Sequence, residues 1–126
     1  ITNGYANDSM TQDYLKSGLI LAGLTKAEHV KIWIDDVREA PTGYVHCHSV
    51  NEAVKKIVEC EKNKVVIDVI DCDHDLGDYA PDGGDGIKLI DWLAERKTYY
   101  PIELHTMNLV GRENMQREVE RYWNKE

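Results

Sequence analysis

Carboxylates and histidines lie together directly after two apolar segments of the sequence. Asp35 and Asp36 follow the first segment, and the run Asp73, His74, Asp75 follows the second. Short carboxylates beside one another are typical ligands of a hard divalent cation. Histidine has a pKa near neutrality and is the usual proton carrier in catalysis. The two segments therefore indicate metal-assisted chemistry on a phosphoester.

Other polar residues in the sequence are suited to the same chemistry. His105 and Asn108 follow a third apolar segment, and Arg38 and Arg112 carry guanidinium groups that can hold phosphate oxygens with two hydrogen bonds. The expected cofactor is a divalent metal, Mg²⁺ or alternatively Mn²⁺. The assigned site residues are the metal ligands Asp35, Asp36 and Asp73, the catalytic residues His74, His105 and Asp75, and the phosphate-binding residues Arg38, Asn108 and Arg112.

Each assignment has a simpler alternative. His74 could ligate a transition metal, and His105 could be a hydrogen-bonded structural residue. Arg38 could bond loop carbonyls, and Arg112 could pair with a surface acid. Supporting or capping roles could equally be taken by Asp71 and Asp75. A different metal site is conceivable at His46 and His48, which share one face of a strand, but no second ligand cluster accompanies them.

The elements that must position these residues alternate between strand and helix. Strands are predicted over residues 30–34, 44–48, 65–72 and 102–106, and helices over residues 50–61, 87–94 and 112–123. Residues 1–29 form an N-terminal extension with a weaker helical pattern over 10–24. The alternation defines an α/β protein, in which ligands bind outside the carboxyl ends of the strands.

Local signals refine this pattern. Ser49 and Glu52 have the spacing of a capping box at a helix start. The link 36–43 is shorter than the roughly dozen residues of a parallel crossover, so its helix is missing or reduced to a turn. The glycine-rich segment 81–86 is expected to be a mobile lid or a turn over the acidic site. The tryptophans are assigned to the core: Trp33, Trp92 and Trp123.

Length and composition set the class of protein. The 126 residues suffice for one domain, and no apolar run approaches the roughly 20 residues of a membrane span. The net charge of −8 lies mostly in residues 65–91, which carry eight aspartates, so we expect no long nucleic acid as partner. The three cysteines lack Cys-x-x-Cys spacing, and the sequence shows no signal peptide. We therefore expect a cytoplasmic protein with a small phosphorylated ligand and no membrane contact.

Ordered motifs within residues 30–123 resemble the receiver domain of two-component signalling. They include the acidic pair Asp35–Asp36, Asp73 at a later strand end, and Pro101 followed five residues on by Thr106. In that superfamily the matching acids hold Mg²⁺, and the acid at the position of Asp73 accepts phosphate. Thr106 matches the hydroxyl that contacts the phosphoryl group and is thus a fourth phosphate-binding candidate. The receiver's last strand, with its lysine, has no match here.

The resemblance implies a fold for residues 30–126. That fold is a flavodoxin-like three-layer sandwich with a reduced, mostly parallel four-stranded sheet. Four motifs narrow the resemblance further, namely Asp-Asp-x-Arg at 35–38, Asp-His-Asp-Leu-Gly at 73–77, His-Thr-x-Asn at 105–108 and Gly-Arg-x-Asn-Met at 111–115.

Together these four motifs resemble the family of cyclic-phosphate-processing receiver domains. The implied activity is hydrolysis or processing of a cyclic phosphate, such as a cyclic RNA end or a cyclic nucleotide. Two other functions stay open. The first is a non-catalytic signalling module that is phosphorylated at Asp73, and the second is a protein that binds a cyclic nucleotide without cleaving it.

Overall fold

The computed structural model describes residues 27–123. The predicted N-terminal extension, with its helix over 10–24, lies almost entirely outside these residues. No helix within residues 27–123 is long and apolar enough to cross a membrane.

Four strands form one parallel sheet. They are β1 (His29–Ile34), β2 (Tyr44–Cys47), β3 (Val66–Cys72) and β4 (Ile102–Leu104), and their order across the sheet is β2-β1-β3-β4. This order is that of flavodoxin-like sheets, which confirms the predicted fold class. The predicted strands are confirmed to within two residues at each end.

Three helices follow the last three strands. They are α1 (Val50–Lys62), α2 (Gly86–Arg96) and α3 (Leu109–Trp123), and a short 3₁₀ helix covers Gly77–Tyr79. Ser49 caps α1 as predicted, because its Oγ accepts a hydrogen bond of 3.0 Å from the backbone N–H of Glu52. The last helix begins three residues earlier than predicted. The side chain of Asn108 caps it by accepting a hydrogen bond of 2.8 Å from the N–H of Gly111.

The apolar core lies between the helices and one face of the sheet. The three helices pack side by side on this face, so residues 27–123 supply two of the three predicted layers. Full burial of each large apolar side chain contributes about 1.5–3 kcal/mol relative to exposure. The buried residues of the sheet that face the helices are Ile32, Ile34, Cys47, Ile67, Ile70 and Cys72.

The opposite face of the sheet carries polar and aromatic residues. In register, Trp33 lies between His46 on β2 and Asp71 on β3. Its assignment to the core is therefore wrong, since in a strand successive side chains point to opposite faces and its neighbours in sequence take the core side. The other two tryptophans, Trp92 and Trp123, pack against the core.

The short link between β1 and β2 joins two parallel strands. Residues 35–43 contain no helix, as predicted. The link is long enough because β2 begins opposite Lys31 and pairs only with the last four residues of β1. The chain therefore runs back over only about four strand residues, or roughly 13 Å. Both strands consequently end at the same edge of the sheet.

Candidate active site

Two aspartates and a histidine meet at the carboxyl edge of the sheet. Asp35 follows β1 and is fully buried, Asp73 follows β3 and is 9% exposed, and His105 follows β4. One oxygen of each carboxylate and one ring nitrogen of His105 all lie within 4.8 Å of one another. Backbone hydrogen bonds continue past the strand ends, as from the N–H of Asp73 to the carbonyl of Ile34 at 2.9 Å. We call these three residues the acidic cup.

Asp35 is held as a carboxylate by several donors. Its Oδ1 accepts hydrogen bonds from the N–H groups of Val37 at 2.9 Å and Arg38 at 2.7 Å, and its Oδ2 accepts from Nε2 of His105 at 2.9 Å. Burial alone would raise the pKa of Asp35, but these hydrogen bonds outweigh it and hold the pKa below its usual value. Asp35 is thus negatively charged at neutral pH although no solvent reaches it.

Asp73 lies near a second carboxylate, that of Asp35, and the two negative charges repel each other. Burial raises the pKa of Asp73, and the negative charge of Asp35 raises it further, against the hydrogen bonds from the Thr106 hydroxyl and the N–H of His74. The His74 N–H lies 2.7 Å from Oδ1. Thr106 therefore lies beside Asp73, where the resemblance to receivers places it. Two like charges in one buried cup favour a cation or a proton between them.

His105 is bracketed by two carboxylates. Its Nδ1 donates to Oδ1 of Asp71 at 2.7 Å, and its Nε2 donates to Asp35. Trp33 stacks on the imidazole with ring centroids 3.6 Å apart and an interplanar angle of 7°. Burial would lower the pKa of His105, but the hydrogen bonds to Asp71 and Asp35 raise it overall. Both ring nitrogens are engaged, so the catalytic role assigned to His105 stays a prediction.

His74 has one ring nitrogen held and the other without a hydrogen-bond partner among residues 27–123. Its Nδ1 donates to Oδ1 of Asp75 at 2.7 Å, and Asp75 also accepts from Nδ2 of Asn108 at 3.1 and 3.2 Å. The hydrogen bond from His74 is the largest cause that lowers the pKa of Asp75. This is the arrangement of a proton carrier oriented by a carboxylate. Asn108 is occupied by Asp75 and by capping α3, and its phosphate contact stays a prediction.

Glycine allows the His74 ring to lie against the start of α3. A Cβ atom on Gly111 would lie 2.5–2.8 Å from three atoms of that ring, closer than side chains approach. A carboxylate oxygen of Asp85 comes within 4.8 Å of His74 and Asp75 ligand atoms, and its Oδ1 accepts from the N–H of Leu76 at 3.0 Å. His74, Asp75 and Asp85 thus form a second polar cluster beside the acidic cup.

A second glycine brings β3 and α2 together. The N–H of Gly86 donates to the carbonyl of His74 at 2.7 Å, and a Cβ at this position would collide with the carbonyl oxygen of Asp73.

The segment 81–86 forms a turn that is fastened to the start of α1. Asp82 accepts from Oγ of Ser49 at 2.6 Å and from Nδ2 of Asn51 at 3.0 Å.

Not every predicted site residue reaches the acidic cup. Asp36 is half-buried with its carboxylate against Gly77, so His105 rather than Asp36 completes the group around Asp35 and Asp73. Arg38 and Arg112 are exposed, and neither guanidinium forms an ion pair with any residue of 27–123. Arg112 is the fourth residue of α3, not its first as predicted. The roles of these three residues stay predictions.

His46 on β2 contacts the backbone of the acidic cup, and His48, which follows β2, stacks on His46. Nε2 of His46 donates to the backbone carbonyl of Asp35 at 2.7 Å, and the ring stacks on His48 with centroids 4.1 Å apart. His48 in turn contacts Glu52 through Nδ1 at 3.2 Å. The alternative metal site at these residues gains no further ligand cluster within residues 27–123. Nothing in the sequence indicated that His46 would contact Asp35.

A parallel α/β sheet with buried acids at the ends of two adjacent strands defines a receiver-like domain. The model of the cyclic-phosphate processing receiver domain family matches residues 30–121, and the chain belongs to this family. The resemblance seen in the four sequence motifs is thereby confirmed. The chain has no match among curated proteins or among solved structures.

Proposed function

We propose that the chain is a metal-dependent phosphoesterase that opens a cyclic phosphate on an RNA end or a nucleotide. The observation that supports the proposal most directly is the proximity of two kinds of group. A pair of buried carboxylates, Asp35 and Asp73, lies at the strand end where the backbone N–H of His74 donates to Asp73, and Nδ1 of His74 is oriented by Asp75. Family membership supplies the link to cyclic phosphates.

The donor set of the acidic cup fits a divalent cation. Asp35 and Asp73 offer carboxylate oxygens close together, and burial, with the nearby negative charge of Asp35, raises the pKa of Asp73. Oxygen ligands suit Mg²⁺, whereas inclusion of the His105 imidazole would suit Mn²⁺. When bound, such an ion would polarise a phosphoryl oxygen and neutralise the charge that develops on it.

The proton chemistry falls to His74. Hydrolysis of a cyclic phosphodiester joins a water oxygen to phosphorus and breaks one ring P–O bond, so the water loses one proton and the leaving oxygen gains one. His74 would take the proton of water at Nε2 while Asp75 keeps the proton on Nδ1, and this proton would then pass to the leaving oxygen, which leaves His74 neutral again. Arg38 and Arg112, exposed and without an ion-pair partner in residues 27–123, are available to hold phosphate oxygens.

A panel of cyclic phosphates tests this function. Purified protein is incubated with 2′,3′-cyclic and 3′,5′-cyclic nucleotides in Mg²⁺ or Mn²⁺, and ³¹P NMR follows the conversion of the cyclic ester to a monoester. His74→Gln should lower the rate about 10²–10⁴-fold, the usual contribution of acid–base catalysis. His29→Gln is the matched control, because His29 also pairs with an aspartate, Asp68, but is exposed at the start of β1.

Two outcomes would contradict the proposal. One is the absence of turnover for every substrate by folded protein that binds metal. The other is equal loss of rate in the His74 and His29 variants. Recovery of intact nucleotide from the protein after denaturation, without turnover, would instead indicate a binding protein.

A phosphorylated signalling module is the second candidate, favoured by the contact between Asp73 and Thr106. In this function the Asp73 carboxylate takes up a phosphoryl group. Treatment with acetyl phosphate followed by mass spectrometry distinguishes the two functions. A gain of one phosphoryl group that disappears in Asp73→Asn would favour signalling, whereas an unchanged mass together with turnover of a cyclic phosphate would favour the phosphoesterase.

A further inference from the structure

Asp71 lies on the sheet face opposite the core, yet its side chain is only 12% exposed. The one side-chain partner that the structure gives it is His105, whose Nδ1 lies 2.7 Å from Oδ1 of Asp71. A buried carboxylate without a partner costs several kcal/mol, and the imidazole N–H removes that cost. The carboxylate and the imidazole are therefore fixed relative to each other.

The hydrogen bond at Nδ1 of His105 determines where Nε2 of the same ring points. With Nδ1–H held by Asp71, Nε2 faces Oδ2 of Asp35 at 2.9 Å. Trp33 restricts rotation of the His105 ring, because the indole stacks almost parallel to the imidazole. Tyr44 in turn packs edge-on against Trp33, with ring centroids 6.0 Å apart. Rotation of the imidazole would break the hydrogen bond and the stack together.

We infer that Asp71 is a positioning residue for the acidic cup, acting through His105, with Trp33 as its second support. Carboxylate–histidine pairs of this kind fix which ring nitrogen carries the proton and aim the other nitrogen at a metal or substrate. The inference rests on the proposed function, since it names the residues that hold one wall of the same site. Stability alone does not require Asp71, because replacing buried charged groups with apolar ones of similar volume is often neutral or stabilising.

The chain contains a matched control for this pair. Asp68 lies on the same strand as Asp71, and its Oδ1 is also 2.7 Å from Nδ1 of a histidine, His29. The side chain of His29 is 55% exposed and that of Asp68 is 38% exposed, and the pair lies toward the other end of the sheet. Asp68→Asn and Asp71→Asn therefore make the same chemical change to the same kind of pair, and only the second change reaches the cup.

The first measurement is independent of catalysis. NMR of wild-type protein should show a downfield Nδ1–H proton of His105 that exchanges slowly with water. Asp71→Asn should abolish this resonance, because a neutral amide oxygen holds Nδ1–H more weakly than a carboxylate does and the proton then exchanges with water too fast to be seen. Asp68→Asn should leave it in place. Persistence of the resonance in Asp71→Asn would overturn the inference.

The second measurement is Mn²⁺ affinity by titration calorimetry, together with turnover where it is detected. Asp71→Asn should weaken Mn²⁺ binding or lower kcat about 10–100-fold, which is the usual effect of removing a support behind a metal site. Asp68→Asn should stay within twofold of wild type. Equal values for the two variants would overturn the inference.

Trp33→Leu keeps the inference testable if Asp71→Asn does not fold. This variant leaves the Asp71–His105 hydrogen bond intact but removes the stack, so the Nδ1–H proton should exchange faster and Mn²⁺ binding should weaken by a smaller factor. Unchanged exchange and affinity would contradict the role of the stack. If wild type shows no turnover but these two readouts change as expected, the proposed function fails while the positioning role stands.

Discussion

Replacing Asp73 with asparagine should stabilise the metal-free protein. Asp73 is the cup residue with a raised pKa, because it is buried and lies near the Asp35 carboxylate. Two unit charges 4.8 Å apart repel by about 3.5 kcal/mol at an effective dielectric constant of about 20. The attraction between Asp73 and His105 offsets part of this repulsion. We therefore expect Asp73→Asn to raise the free energy of unfolding by about 1–2 kcal/mol at pH 7.

The effect should depend on pH in a defined direction. A carboxyl whose pKa is higher in the folded than in the unfolded protein binds its proton more tightly when folded. Wild-type stability is therefore lost as pH rises from the unfolded pKa, near 3.8, through the higher folded pKa of Asp73, and it stays lost at neutral pH. The gain from Asp73→Asn should be present at pH 7 and vanish below about pH 3.8.

Thermal and urea unfolding in EDTA measure this effect. In a domain of about 100 residues each kcal/mol raises Tm by about 4–8 °C. Mg²⁺ at 100 times its Kd should stabilise wild type by about 2.7 kcal/mol but should stabilise Asp73→Asn little. Asp78→Asn, the same charge change at an exposed residue of the short 3₁₀ helix, serves as the control. A variant at Asp73 that is less stable than wild type in EDTA, or that gains as much from Mg²⁺, would refute this account of the cup.

Four further substitutions have expected outcomes. Gly86→Ala should destabilise by about 3 kcal/mol or more in urea unfolding, because its Cβ collides with the carbonyl oxygen of Asp73. Gly43→Ala, with open space around it and φ of +92°, should cost only about 1 kcal/mol, and an equal loss at both glycines would count against the collision. Gly111→Ala should displace the His74 ring and lower turnover more than stability, which kinetics and unfolding together can check. Ser49→Ala should cost about 1–2 kcal/mol by circular dichroism melting, since it removes a helix cap and an anchor of the 81–86 turn, and an unchanged Tm would contradict that role.

Much of the fold follows from local patterns in the sequence. Apolar runs and helical spacing predicted the described strands and helices, and the capping box at Ser49 predicted the start of α1. Because parallel strands end at one edge of a sheet, the sequence also predicted that Asp35, Asp73 and His105 would approach one another, although Asp35 and His105 are 70 residues apart. Topology alone is sufficient for that inference.

The orientation of single side chains was harder to predict. Asp35 and Asp36 were assigned together, but consecutive residues of an extended chain point to opposite sides, so only one of them reaches the cup. The same alternation places Trp33 on the face opposite the core. Asn108 precedes two apolar residues, and asparagine is a preferred residue at a helix N-cap. The sequence therefore contained a signal for the capping role, but Asn108 was assigned to phosphate binding instead.

Contacts between distant side chains had no signal in a single sequence. The hydrogen bonds from His105 to Asp71 and from His46 to the Asp35 carbonyl depend on strand register, which hydrophobic patterns specify only loosely at polar positions. The approach of Gly111 to His74 likewise depends on how α3 packs on the sheet edge. These contacts shape the site, and only the three-dimensional structure reveals them.

The most direct test of the account is a crystal structure of the protein grown with Mn²⁺ and a nonhydrolysable cyclic phosphorothioate. Anomalous scattering should place Mn²⁺ between the carboxylates of Asp35 and Asp73, with the phosphorothioate within hydrogen-bonding reach of Nε2 of His74. Mn²⁺ bound at other acids, or the analogue bound away from this edge of the sheet, would contradict it.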